Sequence, residues 1–247
     1  MQIPKTTKHK QSGFTIVELM ISISVLSVIL LIVTLGIIQI SKTYYKGIIQ
    51  SSTQQTARTI LDDVSQSLQF DSVKNLPESP VGGTGILVSD GSTYKPKAYC
   101  IGQKTRYSYI LGYQLSTTKN VPANPNYTRH GLWKDGYSVA CSPLNLSSAN
   151  ASGAPLYTTL GGHELLGQNM RLTRFTIEPV KVGSVDSNTL YKISITVMYG
   201  DDDLFDKSSG TSETQMQGWK CTSSAGVFAT AFCAKSELTT VVGKRLS

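Results

Sequence analysis

From Phe14 to Ile38 the chain reads FTIVELMISISVLSVILLIVTLGII, with Glu18 as its one charged residue. As a helix rising about 1.5 Å per residue, this run spans roughly 37 Å, enough to cross the ~30 Å hydrocarbon core of a bilayer. No proline occurs between Pro4 and Pro77, so nothing forces a break in that helix. Ahead of it sits a polar leader, MQIPKTTKHKQSG, with Lys5, Lys8 and Lys10 and no acid. Lys42 and Lys46 oppose it more weakly from the other end, so the positive-inside rule leaves the leader in the cytoplasm and sends the bulk out.

Three ordinary explanations of such a run compete. A secretory signal has a shorter apolar core followed by a small-residue cleavage site, and no A-x-A pattern follows here. A plain signal anchor fits the length and the charge bias but leaves Glu18 unexplained. A carboxylate inside an apolar helix costs ~2.5–3.5 kcal/mol on insertion scales, so it calls for a partner. A buried core helix has no use for a basic leader. Composition narrows the rest of the chain. With 40% apolar and 16% charged residues it is neither a disordered chain nor a polytopic membrane protein.

Lys10-Gln11-Ser12-Gly13 followed by Phe14-Thr15-Ile16-Val17-Glu18-Leu19-Met20 resembles the prepilin cleavage site of type IV pilins and type II secretion pseudopilins. The resemblance covers a short stretch, but its parts are specific. They are a basic leader, a Gly, a Phe, a Glu as fifth residue after the Gly, and a spanning apolar helix. It implies cleavage between Gly13 and Phe14 by a membrane-embedded prepilin peptidase, N-methylation of Phe14, and assembly of the mature chain into a helical filament. The new ammonium at Phe14 then lies one turn from Glu18. An intermolecular pair between them would fix the axial register of packed helices, which makes Glu18 the assembly residue. One departure stands out: where many family members carry a proline, this chain has Leu35-Gly36. A glycine there loosens the helix by about 1 kcal/mol relative to Ala without breaking it.

Helical spacing continues beyond the apolar run, as Ile40, Tyr44, Ile48 and then Ile60, Val64, Leu68, while Gln50–Thr59 is polar on all faces. The simplest reading is one helix from Phe14 to about Phe70 whose two patches pack on a head domain. The alternative is two helices with a loop near Ser51. The Pro77-Glu78-Ser79-Pro80 and Gly82-Gly83-Thr84-Gly85 cluster ends the helical part. The period then switches to two, in Tyr107, Tyr109, Leu111, Tyr113, Leu115 and again in Tyr191, Ile193, Ile195, Val197, Tyr199. Further strands are expected at 171–180, 85–88, 132–139 and 238–242. Alternation with one buried face predicts an antiparallel sheet covered by the helix. The fold class is α+β, a lollipop with the helix as its stick. Its parts are a leader over 1–13, a transmembrane or filament-core half over 14–40, an amphipathic half over 41–70 and a β-rich extracytoplasmic head over 77–247. His163–Met170 leading into Arg171–Phe175 resembles a segment of minor pilins and J-type pseudopilins, which favours a minor subunit.

Four cysteines, Cys100, Cys141, Cys221 and Cys233, fall in the head and allow three pairings. Local closure favours Cys100–Cys141 and Cys221–Cys233 as two disulfides in an oxidising compartment. Four free thiols are the alternative, and the spacings are wrong for zinc. No H-E-x-x-H, G-x-S-x-G or P-loop is present, so the chain reads as a structural protein without cofactor rather than an enzyme. The rival from a different class is a ligand-binding or enzymatic domain on an uncleaved signal anchor, for which His163-Glu164 is the best candidate and more simply a surface or helix-start pair. Asp201, Asp203 and Asp206 could offer oxygens to Ca²⁺, but the spacing is not that of an EF-hand and an acidic solvated turn is the commoner cause of such a cluster, so no metal site is expected. Gly91–Lys134 has no acid. It carries Lys95, Lys97, Lys104, Arg106, Lys119, Arg129 and Lys134 among six Tyr and Trp133, the composition of a DNA-contacting surface. The opposing reading puts those tyrosines in the core and leaves the cations as the wet side of strands. The partners implied are other pilin subunits, the prepilin peptidase, the inner-membrane assembly platform, membrane lipid before assembly, and DNA if the basic stretch is a surface. The precursor would be single-pass in the cytoplasmic membrane and the mature form part of a pilus or pseudopilus at the cell surface. Loss of the leader takes three lysines, lowering the net charge from +7 to +4.

Overall fold

The computed structural model describes residues 13–70, 80–82, 86–87, 93–94, 97–102, 105–112, 131–136, 141, 162–182, 185–210, 212–222 and 230–244. It divides into two compact units, Met1–Tyr44 and Tyr45–Ser247. A single helix, α1, runs from Ile16 to Gln69 without interruption, 54 residues or about 80 Å. This is the expected single helix, and the alternative loop near Ser51 is absent, because Gln50–Thr59 holds no Gly or Pro and its hydroxyls bond back into the helix. The Thr53 hydroxyl, for example, donates to the Ile49 carbonyl at 2.7 Å.

In the second unit the buried stripe of α1 is Ile49, Thr53, Ala57, Ile60, Val64 and Leu68. Its lower half is the expected one, and its upper half is not. Ile40, Tyr44 and Ile48 are exposed, and the seam climbs from Ile60 through Ala57 and Thr53 to Ile49. A stretch that reads as polar on all faces therefore has a core face, made of small residues rather than large ones.

Twelve described strands follow: β1 Val81–Gly82, β2 Ile86–Leu87, β3 Thr93–Tyr94, β4 Lys97–Ile101, β5 Thr105–Tyr109, β6 Leu132–Gly136, β7 Gly162–Glu164, β8 Met170–Val182, β9 Val185–Tyr199, β10 Phe205–Asp206, β11 Lys220–Cys221 and β12 Ala234–Gly243. The expected single sheet is in fact two principal ones. One has the order β1-β4-β5-β6-β7, the other β12-β9-β8, and two short ribbons, β2-β3 and β10-β11, stand apart. All described pairings are antiparallel. The two sheets meet where the Gly112 N–H donates to the Leu172 carbonyl at 2.7 Å and the Ile177 N–H to the Tyr99 hydroxyl at 3.3 Å. Gly112 has φ +76°, and a Cβ there would fall 2.7 Å from the Met216 sulfur, so only glycine fits the junction. That turn also stops β5 at Tyr109, short of the alternation read through Leu115. Tyr113 and Leu115 lie outside the described residues.

One core joins the helix to both principal sheets: Ala57, Ile60, Val64 and Leu68 of α1 with Tyr99, Tyr107, Tyr109 and Leu132 of the first sheet and Leu172, Phe175, Ile177, Ile193, Ile195 and Val197 of the second. A second core lies on the other face of the β9 end, from Met198, Leu204, Phe205, Met216, Trp219 and Cys233. The Trp219 indole N–H donates to the Gly210 carbonyl at 2.7 Å, and the Cys221–Cys233 disulfide closes the loop beside it. A second disulfide joins Cys100 of β4 to Cys141. No described cysteine is free. By loop-closure entropy the bridge over 41 residues constrains the unfolded chain more than the one over 12.

Helix and first sheet are also tied by polar groups. The Tyr107 hydroxyl donates to Asp63 Oδ2 at 2.8 Å and shares a 2.7 Å hydrogen bond with Ser67, while Lys134 Nζ donates to Asp63 Oδ1 at 2.7 Å. Burial pushes the Tyr107 phenol up, the Ser67 bond opposes this, and the nearby Asp63 charge adds to it. A raised folded-state pKa means that the contribution is intact below the ordinary tyrosine value of about 10 and is lost as pH climbs above it. Tyr107→Phe is expected to cost about 1–2 kcal/mol at neutral pH and to flatten the loss of stability above about pH 10, as read by denaturant melts between pH 7 and 11.

Candidate assembly site

The first unit is the start of α1. Residues 13–15 are non-helical, so the Gly13–Phe14 bond lies just outside the helix. Thr15 caps the helix: its carbonyl accepts the Leu19 N–H at 3.1 Å and its hydroxyl the Glu18 N–H at 3.3 Å. Glu18 falls three residues after the cap, in the first turn, where the helix dipole favours an acid. Thr15→Ala is expected to remove about 1 kcal/mol from this turn, so that the Glu18 amide exchanges roughly five-fold faster, with Thr15→Ser restoring protection.

Hydroxyls within the helical part of the apolar stretch satisfy themselves. The hydroxyls of Ser22, Ser27 and Thr34 donate one turn back to the carbonyls of Glu18, Ile23 and Leu30 at 2.7, 2.8 and 2.7 Å, and Ser24 donates to Ile21 at 2.8 Å. They can therefore enter hydrocarbon without leaving donors unpaired. The large apolar side chains from Phe14 to Ile40 are all exposed in the single chain, a surface that lipid or other chains must cover. Among the described residues α1 is long and apolar enough to cross a membrane.

Residues 8–34 match the family model described as the prokaryotic N-terminal methylation motif. This is a prepilin-type N-terminus. It is a hallmark of type IV pilins and pseudopilins, and a long apolar helix followed by antiparallel sheets is a pilin-like α+β architecture. No curated protein and no solved structure matches the chain.

In the head of this pilin-like chain the expected basic surface comes apart. The Arg106 guanidinium is buried in an ion pair with Asp135, Nε to Oδ1 at 2.8 Å, with side-chain exposures of 10% and 0%. Lys134 is held by Asp63 and lies over the Tyr107 ring. Tyr99, Tyr107, Tyr109 and Trp133 are buried rather than offered for stacking, because both faces of the sheet are covered at β4, β5 and the start of β6. Lys97 is half-buried on β4. Lys95, Lys104, Lys119 and Arg129 lie outside the described residues. Two of the seven cations named for DNA are thus ion-paired within the head, which composition alone does not reveal.

Asp201, Asp203 and Asp206 are exposed. Among the described residues, no three His, Cys, Asp or Glu side chains converge as a metal site. Asp206 instead accepts the Ser208 N–H at 3.0 Å, and hydrogen bonds from the Ser208 side chain and backbone hold its carboxyl below the usual range. His163-Glu164 is not a helix start but the short strand β7, paired with β6. Its Glu164 carboxylate accepts the backbone N–H groups of Gly131, Leu132 and Leu166 at 3.1, 2.8 and 3.1 Å, which is a turn-fixing role. Neither this acceptor role nor the Asp63–Lys134 pair, 71 residues apart, left a signal in the sequence.

Proposed function

We propose that this chain is a minor subunit of a type IV pilus-like filament, cut between Gly13 and Phe14, N-methylated at Phe14, and assembled through the apolar half of α1. The observation that carries the reading is the methylation motif over 8–34 joined to a helix whose apolar residues have no cover in the single chain. The basic leader supports a cytoplasmic N-terminus before cleavage, and the two disulfides support a head in an oxidising compartment. The minor role is supported by the likeness of the segment entering β8 to minor pilins. Its partners are other pilin subunits, the peptidase and the assembly platform, with lipid covering the helix before assembly. The role is structural. Mass and N-terminal sequencing of the mature protein test it: a chain beginning at N-methyl-Phe14 is expected, and a retained leader sinks the reading in favour of a plain signal anchor.

A further inference from the structure

Most aromatic rings described in the second unit are buried, those of Tyr107, Phe175 and Trp219 almost completely. Two exceptions touch each other. Tyr45, where that unit begins, is 52% exposed and Phe232 is 44% exposed, and their ring centroids stand 6.1 Å apart at an interplanar angle of 40°. Phe232 is held outward. It ends one short turn of helix, Thr230–Phe232, between buried Ala231 and buried Cys233, and Cys233 is fastened to Cys221. On α1, exposed Ile48 follows Tyr45 by three residues and shares its side of the helix. Exposed Lys46 adjoins Tyr45 in the chain, and no acid occurs between Glu18 and Asp62 or from Cys221 to Ser236.

Half-exposed rings beside a cation suit one surface in particular. At the headgroup level of a bilayer a ring meets acyl chain while its hydroxyl, or a neighbouring ammonium, meets water and phosphate. The chain keeps this pair close to that level. Tyr45 follows Ile40, the end of the apolar stretch, by five residues, which is about 7.5 Å of helix. The headgroup layer on each side of the hydrocarbon is roughly 5–8 Å deep. Even fully extended, five residues reach only about 17 Å, so the tether is short whatever direction the head takes. Phe232 follows Tyr45 because the two rings are in contact within one unit.

We propose that Tyr45, Ile48 and Phe232, with Lys46 beside them, form a contact between the head and the headgroup layer of the membrane that anchors the chain. The surface it fits is a bilayer carrying anionic phosphates. The rings and Ile48 enter between headgroups, and the Lys46 ammonium reaches a phosphate while its stem lies along the apolar surface. Part of the head, and not only the helix, is thus lipid-facing until the chain leaves the bilayer. The contact rests on the membrane-anchored reading above. A second copy meeting this patch face to face would set Lys46 against Lys46, with no acid in either segment to offset the repulsion.

The test uses the full chain in vesicles of phosphatidylethanolamine and phosphatidylglycerol, with Phe232→Trp as the probe. Trp133 and Trp219 are buried, so quenchers carried on lipid read the new indole. A spin label on the lipid headgroup is expected to cut the added emission roughly two-fold or more, and a label near the end of the acyl chain to cut it far less. Tyr45→Trp is expected to behave the same way and serves should the first variant misfold. Leu31→Trp, inside the apolar stretch, reads the anchor separately, and the acyl-chain label is expected to quench it. If Leu31→Trp is quenched while neither Phe232→Trp nor Tyr45→Trp responds to the headgroup label, the contact is overturned and the anchored reading stands. If Leu31→Trp is not quenched, the anchored reading falls and the contact falls with it. Phe232→Trp emission that changes with the number of chains per vesicle but ignores the headgroup label assigns the patch to a second copy and overturns the lipid contact.

Discussion

Glu18→Ala is expected to leave the chain inserted in the membrane and to remove it from filaments. The two halves of that result come from one carboxylate. In the precursor Glu18 sits in the first turn of α1 and, among the described residues, has no side-chain partner, so its charge opposes insertion by ~2.5–3.5 kcal/mol and alanine relieves that cost. In packed helices the balance reverses. The ammonium at Phe14 would be buried without its counter-charge, and breaking a buried ion pair from one side costs about 3–5 kcal/mol. At 1.4 kcal/mol per decade, incorporation should fall at least a hundred-fold. Immunoblots of sheared surface filaments against the membrane fraction read the effect, and the mass of the N-terminus separates a processing fault from an assembly fault. Glu18→Gln, which keeps the shape and loses the charge, should behave like the alanine variant. Wild-type incorporation of either variant would remove the ion-pair account.

How much was legible depended on the range of the interaction. The prepilin segment and the helix are local: a cap at Thr15, an apolar run and a lack of proline lie within a few residues of what they determine. Period-two alternation likewise located β5 and β9 and put Tyr107, Ile193 and Ile195 inside. What failed was anything decided by a second layer. Alternation implies one covered face, yet Arg106 and Ser108 on the other face of β5 are buried too, and Met198 begins a second core on the reverse of β9. A cation-rich segment reads as a surface until Asp135 and Asp63 are seen against Arg106 and Lys134. The upper helix seam is not legible from large apolar residues alone: Ile40, Tyr44 and Ile48 are exposed, and the seam runs through Ile49, Thr53 and Ala57, two of them small. The division into two sheets turns on Gly112, which in the sequence is one glycine among 21.

Phe175→Ala should unfold the head more readily than any other single truncation named here. From β8, Phe175 sets its ring edge-on against tyrosines of the other sheet, with centroids 5.1 Å from Tyr109 and 5.4 Å from Tyr99, at interplanar angles of 85° and 87°. Tyr107 stands at 6.5 Å. The ring is 2% exposed and belongs to the core shared with α1, so its removal leaves a cavity where two sheets and a helix meet. Such truncations cost ~3–5 kcal/mol, a large part of the 5–15 kcal/mol that holds a domain together. For a head of this size that is a fall of roughly 10–15 °C in Tm. Phe175→Leu, which fills most of the volume, should lose about 1–1.5 kcal/mol. Near-UV circular dichroism of the full chain follows the melt through the tyrosines, and a shift under about 3 °C for the alanine variant would deny the ring this role. The apolar half of α1 owes nothing to that core, so Phe175→Ala should still insert while its head fails. Glu18→Ala should keep a folded head and fail to assemble, and a chain whose two variants showed the same defect would not be built of two independent parts.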